Sequence, residues 1–186
     1  VFFMPNLIGG IVLGYIWSMI FDGILTRYGT SIVLETKYGF WGLIILMLWQ
    51  QIGYMMIIYI AGLQAVPGDI LEAAKIDGAS KWQTLWRITI PNIVPSITIC
   101  TFLTLTNSFK LFDQNLALTE GRPFMMQAGG LTVKTTEMLA LNIVNSFYSN
   151  VKTRGIGQAK AVLFFILVAA IGLIQLKATR SKEVQQ

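Results

Sequence analysis

The stretch GFWGLIILMLWQQIGYMMIIYIAGL, residues 39–63, contains no charged side chain. A helix needs about 20 predominantly apolar residues to cross the hydrocarbon core of a bilayer. Within that core every backbone N–H and C=O group has to be bonded inside the segment, and a helix achieves this by itself. Residues 39–63 therefore predict a transmembrane helix.

Three further hydrophobic blocks surround this stretch, at about residues 1–21, 92–112 and 157–176. Each is long enough to cross as a helix, and Lys160 is the only charged residue of the last block. We therefore predict an all-α polytopic membrane helix bundle, with residues 1–186 forming a single transmembrane domain. The first block begins at Val1 with no charged region before it. It does not read as a signal peptide, and we expect a further N-terminal portion to precede it.

The composition excludes several classes of function. Only 12% of the residues are charged and the mean hydropathy is +0.63, whereas soluble domains have about 25% charged residues. The sequence has no histidine, one cysteine (Cys100) and no G-x-x-x-x-G-K-[ST] motif, which excludes a histidine-based site, an internal disulfide and a P-loop. The net charge of +5 is not gathered into a basic stripe, so it favours contact with membrane lipid over nucleic acid. We predict no catalytic residue, metal or cofactor.

Four spans place the loop 64–91 and the C-terminal tail on the same side of the membrane. Both sides carry equal numbers of lysine and arginine, but those of the opposite side are spread over longer loops, which count less in the positive-inside rule. The loop 64–91 and the tail are therefore predicted to be cytoplasmic, and segment 117–156 to be extracytoplasmic. Apolar residues at helical spacing between about Thr136 and Asn150 predict a short helix at the membrane interface within that segment.

The first block contains a G-x-x-x-G pattern, formed by Gly10 and Gly14. Two glycines one turn apart remove side chains from one face of a helix, so another backbone can approach closely. The second helix belongs either to this chain or to a partner subunit, and close packing within the chain is the favoured interpretation.

The loop 64–91 contains the start and stop signals of a helical hairpin. Pro67-Gly68-Asp69 begins one short helix, and Asp77-Gly78 ends it because glycine tolerates the left-handed conformation. Ser80, with Gln83 three residues later, is a capping-box pattern for a second helix that Pro91 closes. The local chemistry predicts two short helices joined by a glycine turn, and an ordinary connector between two spans would read the same way.

The amino-acid sequence of the loop resembles the EAA loop of binding-protein-dependent ABC importer permeases, whose pattern is E-A-A-x3-G-x9-I-x-L-P. The matching residues are Glu72-Ala73-Ala74, Gly78 and Ile88-Thr89-Ile90-Pro91, with Ile90 where leucine is usual. Further segments resemble the carbohydrate-transporting branch of that family. These segments are Ala79-Ser80 with Trp82, residues 107–113 (NSFKLFD) and residues 118–123 (LTEGRP), where Arg122 replaces a usual glycine.

The resemblance implies the type I permease fold of ABC importers, in the inner or plasma membrane of a bacterium or archaeon. It also implies partners: ATP-binding cassette subunits that hydrolyse ATP, a second permease subunit that is usually a different chain, and an extracytoplasmic solute-binding protein. The chain itself is then not an enzyme. The EAA loop would dock into a cleft on an ATPase subunit. The residues that would make this contact are Glu72, Ala73, Ala74, Asp77, Gly78 and Ala79.

Polar residues within the spans are candidates for a substrate path, because such groups usually face the bundle or a water-filled cavity. The candidates are Gln51, Tyr54, Thr101, Thr104, Asn107 and Ser108. Hydroxyl and amide groups suit hydrogen bonding to a sugar, and no basic residue precedes Lys110 in the third block, so a neutral sugar is favoured. The same groups would equally serve as polar contacts between helices. A polyol, glycerol phosphate, an oligosaccharide or a non-sugar remain alternative cargoes.

Two rival classes explain less of the sequence. An ion channel or secondary transporter would carry a filter-like segment, a membrane-buried charge or broken helices in matching halves, and none is evident. The interpretation as a membrane scaffold protein without a transport path does not explain the match to the EAA pattern.

Overall fold

The structure is a computed structural model that describes residues 3–127 and 130–180. Its regular structure is almost entirely helical, which confirms the predicted fold class. The helices are α1 (Gly10–Leu25), α2 (Thr36–Gln64), α3 (Gly68–Ile76), α4 (Lys81–Thr84), α5 (Ile90–Asn92), α6 (Val94–Phe109), α7 (Asp113–Leu118), α8 (Leu139–Tyr148) and α9 (Arg154–Arg180). One addition is a short antiparallel hairpin of β1 (Phe124–Met126) and β2 (Thr132–Lys134), which pairs Met125 with Val133.

Three helical segments are long and apolar enough to cross a membrane, and a bent pair supplies a fourth if it acts as one span. The three are Gly10–Tyr28, Thr36–Gln64 and Val151–Thr179, and the pair is Lys81–Asn92 with Val94–Phe109, bent by 65°. Each of the four predicted spans overlaps one of these segments. Their assignment as membrane crossings, and the placement of α8 at the interface, stay predictions.

Helix α1 begins later than the hydrophobic block that predicted it. Met4–Leu7 forms a 3-10 turn with Pro5 at its start, and Ile8 is extended with ψ of 132°. Proline offers no N–H donor, and the following pair Gly9-Gly10 has low helix propensity. The regular helix therefore forms only from Gly10 onward.

The chain divides into two compact units, and the first comprises Val1–Gly53 and Asn107–Leu167. In this unit α1 packs against α7 through the predicted glycine face. A Cβ atom added to Gly14 would lie 2.5 Å from Ala117 Cβ, and one added to Gly10 would lie 2.8 Å from Asp113 Cβ. The G-x-x-x-G pattern is thus used for close packing within the chain. A core of aliphatic side chains lies in the same unit, formed by Ile32, Leu43, Leu46, Leu111 and Leu118.

A buried polar cluster surrounds Asn115 in α7, which has no exposed surface. Its amide nitrogen donates to the Thr136 carbonyl oxygen at 2.8 Å and to Thr119 Oγ1 at 3.2 Å. Its amide oxygen accepts from the Met138 backbone N–H at 2.9 Å. One side chain therefore joins α7 to the segment that leads into α8, and its polar groups are paired as burial requires.

The second unit comprises Tyr54–Thr106 and Val168–Gln186, described as far as residue 180. The C-terminal half of α2 lies against α6 here: Cys100 Sγ donates to the Met55 carbonyl oxygen at 3.9 Å. Cys100 is 2% exposed, in keeping with a structural thiol. A Cβ atom added to Gly172 of α9 would lie 3.6 Å from the Phe102 ring, which is ordinary van der Waals contact.

Candidate functional site

Helix α3 presents the glutamate of the EAA sequence to solvent. Pro67 is the N-cap, Asp69 lies in the first turn and the helix ends at Ile76. Glu72 and Ala73 are exposed, whereas Ala74 is buried with 6% of its surface accessible. The helix therefore offers a charged group next to a side chain of one methyl, and its opposite face rests on the protein.

The turn after α3 is a Schellman motif, in which a residue of left-handed conformation ends a helix. Gly78 has φ of +74°. The Ala79 N–H donates to the Ala74 carbonyl oxygen at 2.9 Å, and the Gly78 N–H donates to the Lys75 carbonyl oxygen at 3.1 Å. These are the two hydrogen bonds that define the motif. The predicted glycine turn is confirmed, and Asp77 and Gly78 are both exposed at its tip.

The second helix of the loop begins with the predicted capping box. The Gln83 N–H donates to Ser80 Oγ at 3.3 Å, and the Ser80 N–H donates to Gln83 Oε1 at 2.8 Å. The capping box therefore pairs two backbone N–H groups at the start of the helix, those of Ser80 and Gln83. The angle between the two helices of the loop is consequently held by hydrogen bonds at both sides of Gly78.

The helical stretch that follows the turn ends at Asn92, one residue beyond the predicted end at Pro91. A π-helical turn, Leu85–Thr89, follows α4, and Pro91 lies in the first turn of α5, which continues to Asn92. Proline is tolerated in a first turn because its missing N–H would have no partner there. The bend of 65° into α6 therefore occurs at Ile93.

A concave surface and two tryptophans lie beside the turn. A cavity of about 300 Å³ is lined by Asp77, Gly78, Ala79, Gln83, Thr84, Arg87 and Ile88. It places the Arg87 side chain on the same concave surface as the predicted turn residues. Trp82 and Trp86 are 67% and 54% exposed, with ring centroids 5.6 Å apart. Large apolar groups are thus presented by the loop, a feature typical of contact surfaces.

Two polar pairs in the first unit link α2 to the end of α6 and to α7. Asn107 Nδ2 donates to Gln51 Oε1 at 3.4 Å, so two of the predicted path residues are brought together. Gln114 Nε2 donates to Gln50 Oε1 at 2.8 Å. Gln114 was missed by sequence reasoning because it follows the hydrophobic block, and only the fold of the chain returns it to α2. Ser108 is exposed next to Asn107.

The threonines of α6 satisfy their hydroxyl groups locally. Thr101 Oγ1 donates to the Ile97 carbonyl oxygen at 2.7 Å, and Thr104 Oγ1 donates to that of Cys100 at 2.8 Å. Both side chains are exposed on the described chain. The Thr101 donor is therefore engaged by the helix itself, and the Thr104 hydroxyl also lies 3.8 Å from Met55 Sδ. Tyr54 lies half-buried in the same unit as these threonines.

Comparison with known proteins places these features in one family. Residues 1–179 match the family described as "Binding-protein-dependent transport system inner membrane component". The "Probable starch degradation products transport system permease protein AmyD" of Thermoanaerobacterium thermosulfurigenes is 43% identical over 99% of this chain and 62% of its own length. The "Multiple sugar-binding transport system permease protein MsmF" of Streptococcus mutans is 31% identical over 98% of this chain and 63% of its own length.

A third relative is the "Trehalose/maltose transport system permease protein MalF" of Thermococcus litoralis, which is 35% identical over 87% of this chain and 52% of its own length. The chain thus spans 52–63% of the length of these relatives. The match to the family model covers every helix described above except the last residue of α9. The chain belongs to the family of inner membrane permease components of binding-protein-dependent ABC transport systems.

Proposed function

We propose that this chain forms part of the translocation path for a sugar in an ATP-driven importer, and that it receives the force of ATP hydrolysis through the loop 64–91. Its partners are ATP-binding cassette subunits, a second permease subunit of different sequence and an extracytoplasmic solute-binding protein. The ATPase subunits carry out hydrolysis, and the permease converts their closure into movement of its helices.

The observation that carries this proposal is the rigid hairpin formed by α3 and the helix that follows it. A Schellman motif closes one side of the turn and a capping box closes the other. A loop fixed in this way passes a displacement of the ATPase on to the membrane helices. A flexible connector would instead deform and not transmit the displacement. The exposed Glu72 and Ala73 supply the surface that meets the ATPase.

The sugar class rests on the relatives and on the polar groups of the spans. The names of the three relatives refer to starch degradation products, multiple sugars, and trehalose or maltose. Gln51, Asn107 and the threonine oxygens of α6 are neutral hydrogen-bonding groups, which match the hydroxyls of a neutral sugar.

Replacement of Glu72 tests the coupling surface. We expect Glu72→Gln to lower substrate-stimulated ATP hydrolysis by about tenfold, because a charge-assisted hydrogen bond to the ATPase is worth roughly twice a neutral one. The measurement uses the full-length permease with its ATPase, partner permease and binding protein in liposomes. Asp69→Asn is the matched control, since it removes an exposed carboxylate one turn away on the same helix.

Equal behaviour of Glu72→Gln and Asp69→Asn would contradict the assigned role of Glu72. Absence of an ATPase subunit from the purified native complex would contradict the whole proposal, and the loop would then be a connector only.

The substrate path is tested through Asn107. We expect Asn107→Leu to raise the transport KM for the sugar about tenfold, because one hydrogen bond to substrate is lost and the Gln51 amide loses its partner. Thr106→Val is the control in the same turn of α6, since the Thr106 hydroxyl donates to the Phe102 carbonyl oxygen at 2.6 Å. Uptake of radiolabelled maltose into proteoliposomes measures both variants. A KM change of the same size in both would show that Asn107 serves helix packing instead of the sugar.

A further inference from the structure

Lys160 is the seventh residue of α9 and the only charged residue of that helix between Arg154 and Lys177. Its ammonium group donates to Asn142 Oδ1 and to Ser146 Oγ of α8, both at 2.7 Å. An ammonium has three N–H donors. Two are engaged by these neutral groups, which leaves one donor and the full positive charge for another partner.

The carboxylate nearest along this network is already engaged. Glu137 accepts from Asn142 Nδ2 at 2.6 Å and from Asn145 Nδ2, and its Oε1 lies 3.9 Å from Lys134 Nζ. Within residues 3–127 and 130–180, Lys160 forms no ion pair. A cation inside a membrane segment usually marks a functional site, because leaving it unpaired in hydrocarbon is costly.

An apolar cavity of about 260 Å³ opens beside the Lys160 side chain. Its lining residues are Leu139, Asn142, Ile143, Lys160, Leu163, Phe164 and Leu167. Positions 160, 163, 164 and 167 follow one face of α9 and extend over about 10 Å at 1.5 Å per residue. Helical side chains lean toward the N-terminus of their helix, so the ammonium lies at the Arg154 end of the cavity and the apolar lining extends away from it.

Helices α8 and α9 form the two walls of this cavity, and they are in close contact near the Arg154 end of α9. A Cβ atom added to Gly157 would lie 2.8 Å from the Phe147 backbone nitrogen, so α8 and α9 are in backbone contact there. The Arg154 guanidinium lies 5.9 Å from the Phe147 ring centroid, a cation–π contact. The cavity is therefore preformed, and a ligand does not have to order its walls.

We propose that this cavity binds one anionic phospholipid, with its phosphate on Lys160 and an acyl chain along Leu163, Phe164 and Leu167. Such a lipid carries one negative charge at one end of its hydrocarbon chains. This arrangement matches the Lys160 ammonium at one end of the apolar cavity. Lys152 and Arg154 are exposed at the same end of α9. They add positive potential that favours an anionic over a zwitterionic headgroup.

The test measures lipid retained by the full-length importer complex in nanodiscs of phosphatidylglycerol and phosphatidylcholine with identical acyl chains. Native mass spectrometry counts each lipid after transfer to detergent. We expect Lys160→Met to lower retained phosphatidylglycerol about tenfold, because a charge-assisted hydrogen bond is lost while the apolar stem remains. Lys160→Arg should restore it. Lys177→Met removes the same charge from an exposed position at the other end of α9 and should change retention less than threefold.

A second variant fills the slot and leaves the charge in place. Leu163→Trp should reduce phosphatidylglycerol retention as Lys160→Met does, while both complexes keep their native subunit composition. Equal retention of the two lipids by the native complex would overturn the proposal, as would equal losses in Lys160→Met and Lys177→Met. A photo-reactive phenylalanine analogue at position 163 that cross-links the partner permease instead of lipid would also overturn it, because a protein would then cover the cavity.

Discussion

Gly78→Val should abolish substrate-stimulated ATP hydrolysis by the assembled importer while leaving the membrane helices folded. Gly78 has φ of +74°, and a β-branched side chain in this left-handed conformation costs at least about 1–2 kcal/mol. A Cβ atom at this position would contact nothing within 4 Å, so the strain is in the backbone alone. The turn is then expected to open, which misplaces the exposed Glu72 relative to the ATPase.

Two further substitutions separate this effect from a general effect of added bulk. Gly68→Val adds the same side chain to the same loop, at a glycine with open space around it and no positive φ. We expect it to retain at least half of the stimulated activity. Gly78→Asn should recover part of the activity, because asparagine tolerates the left-handed region better than other residues. ATPase assays in liposomes with the binding protein compare the three variants, and full activity of Gly78→Val would contradict the coupling role.

Asn115→Leu should have the largest effect on stability, lowering the free energy of unfolding by about 3–5 kcal/mol. The side chain has no exposed surface and pairs with the Thr136 carbonyl, Thr119 Oγ1 and the Met138 N–H. Leucine has nearly the same shape but pairs with none of these groups. The part-buried Met138 N–H and the buried Thr136 carbonyl then lose this partner, which costs up to about 1–3 kcal/mol each.

Gln114→Leu is the matched control because it changes the neighbouring residue from amide to leucine. Gln114 is half-buried and forms one side-chain hydrogen bond, to Gln50 at 2.8 Å, so the expected loss is about 1 kcal/mol. Denaturant unfolding in detergent, followed by tryptophan fluorescence, measures both variants. Similar stabilities of the two would show that the Asn115 cluster is not what holds α7 to the segment before α8.

Local features of the loop 64–91 could be predicted well because each depends on residues three to five apart. Ser80 and Gln83 satisfy each other's backbone groups within one turn, and Gly78 ends α3 through bonds to Ala74 and Lys75. Such interactions involve no distant part of the chain. The π-helical turn Leu85–Thr89 was not predicted, since such a turn has no clear sequence signal.

The substrate-path candidates show where sequence reasoning stops. The presence of polar residues in the third block predicted Thr101 and Thr104 as path candidates, but it did not reveal that both donate to their own helix. The amides of Gln51 and Asn107 meet across two helices that are far apart in sequence. Pairing of that kind depends on which helix lies beside which, and the hydrophobic pattern of each helix does not specify its neighbour.

The sequence by itself determined the helical membrane fold, the family and the glycine turn of the loop, because hydrophobic length and local capping are properties of short segments. Only the tertiary structure decided that Gly10 and Gly14 receive α7, that Asn115 reaches the segment before α8, and that Lys160 stands at one end of an apolar cavity. Each of these contacts joins residues that are remote along the chain. Their energies change when the distances between the contacting atoms change by a few tenths of an ångström, and those distances are set only when the helices pack.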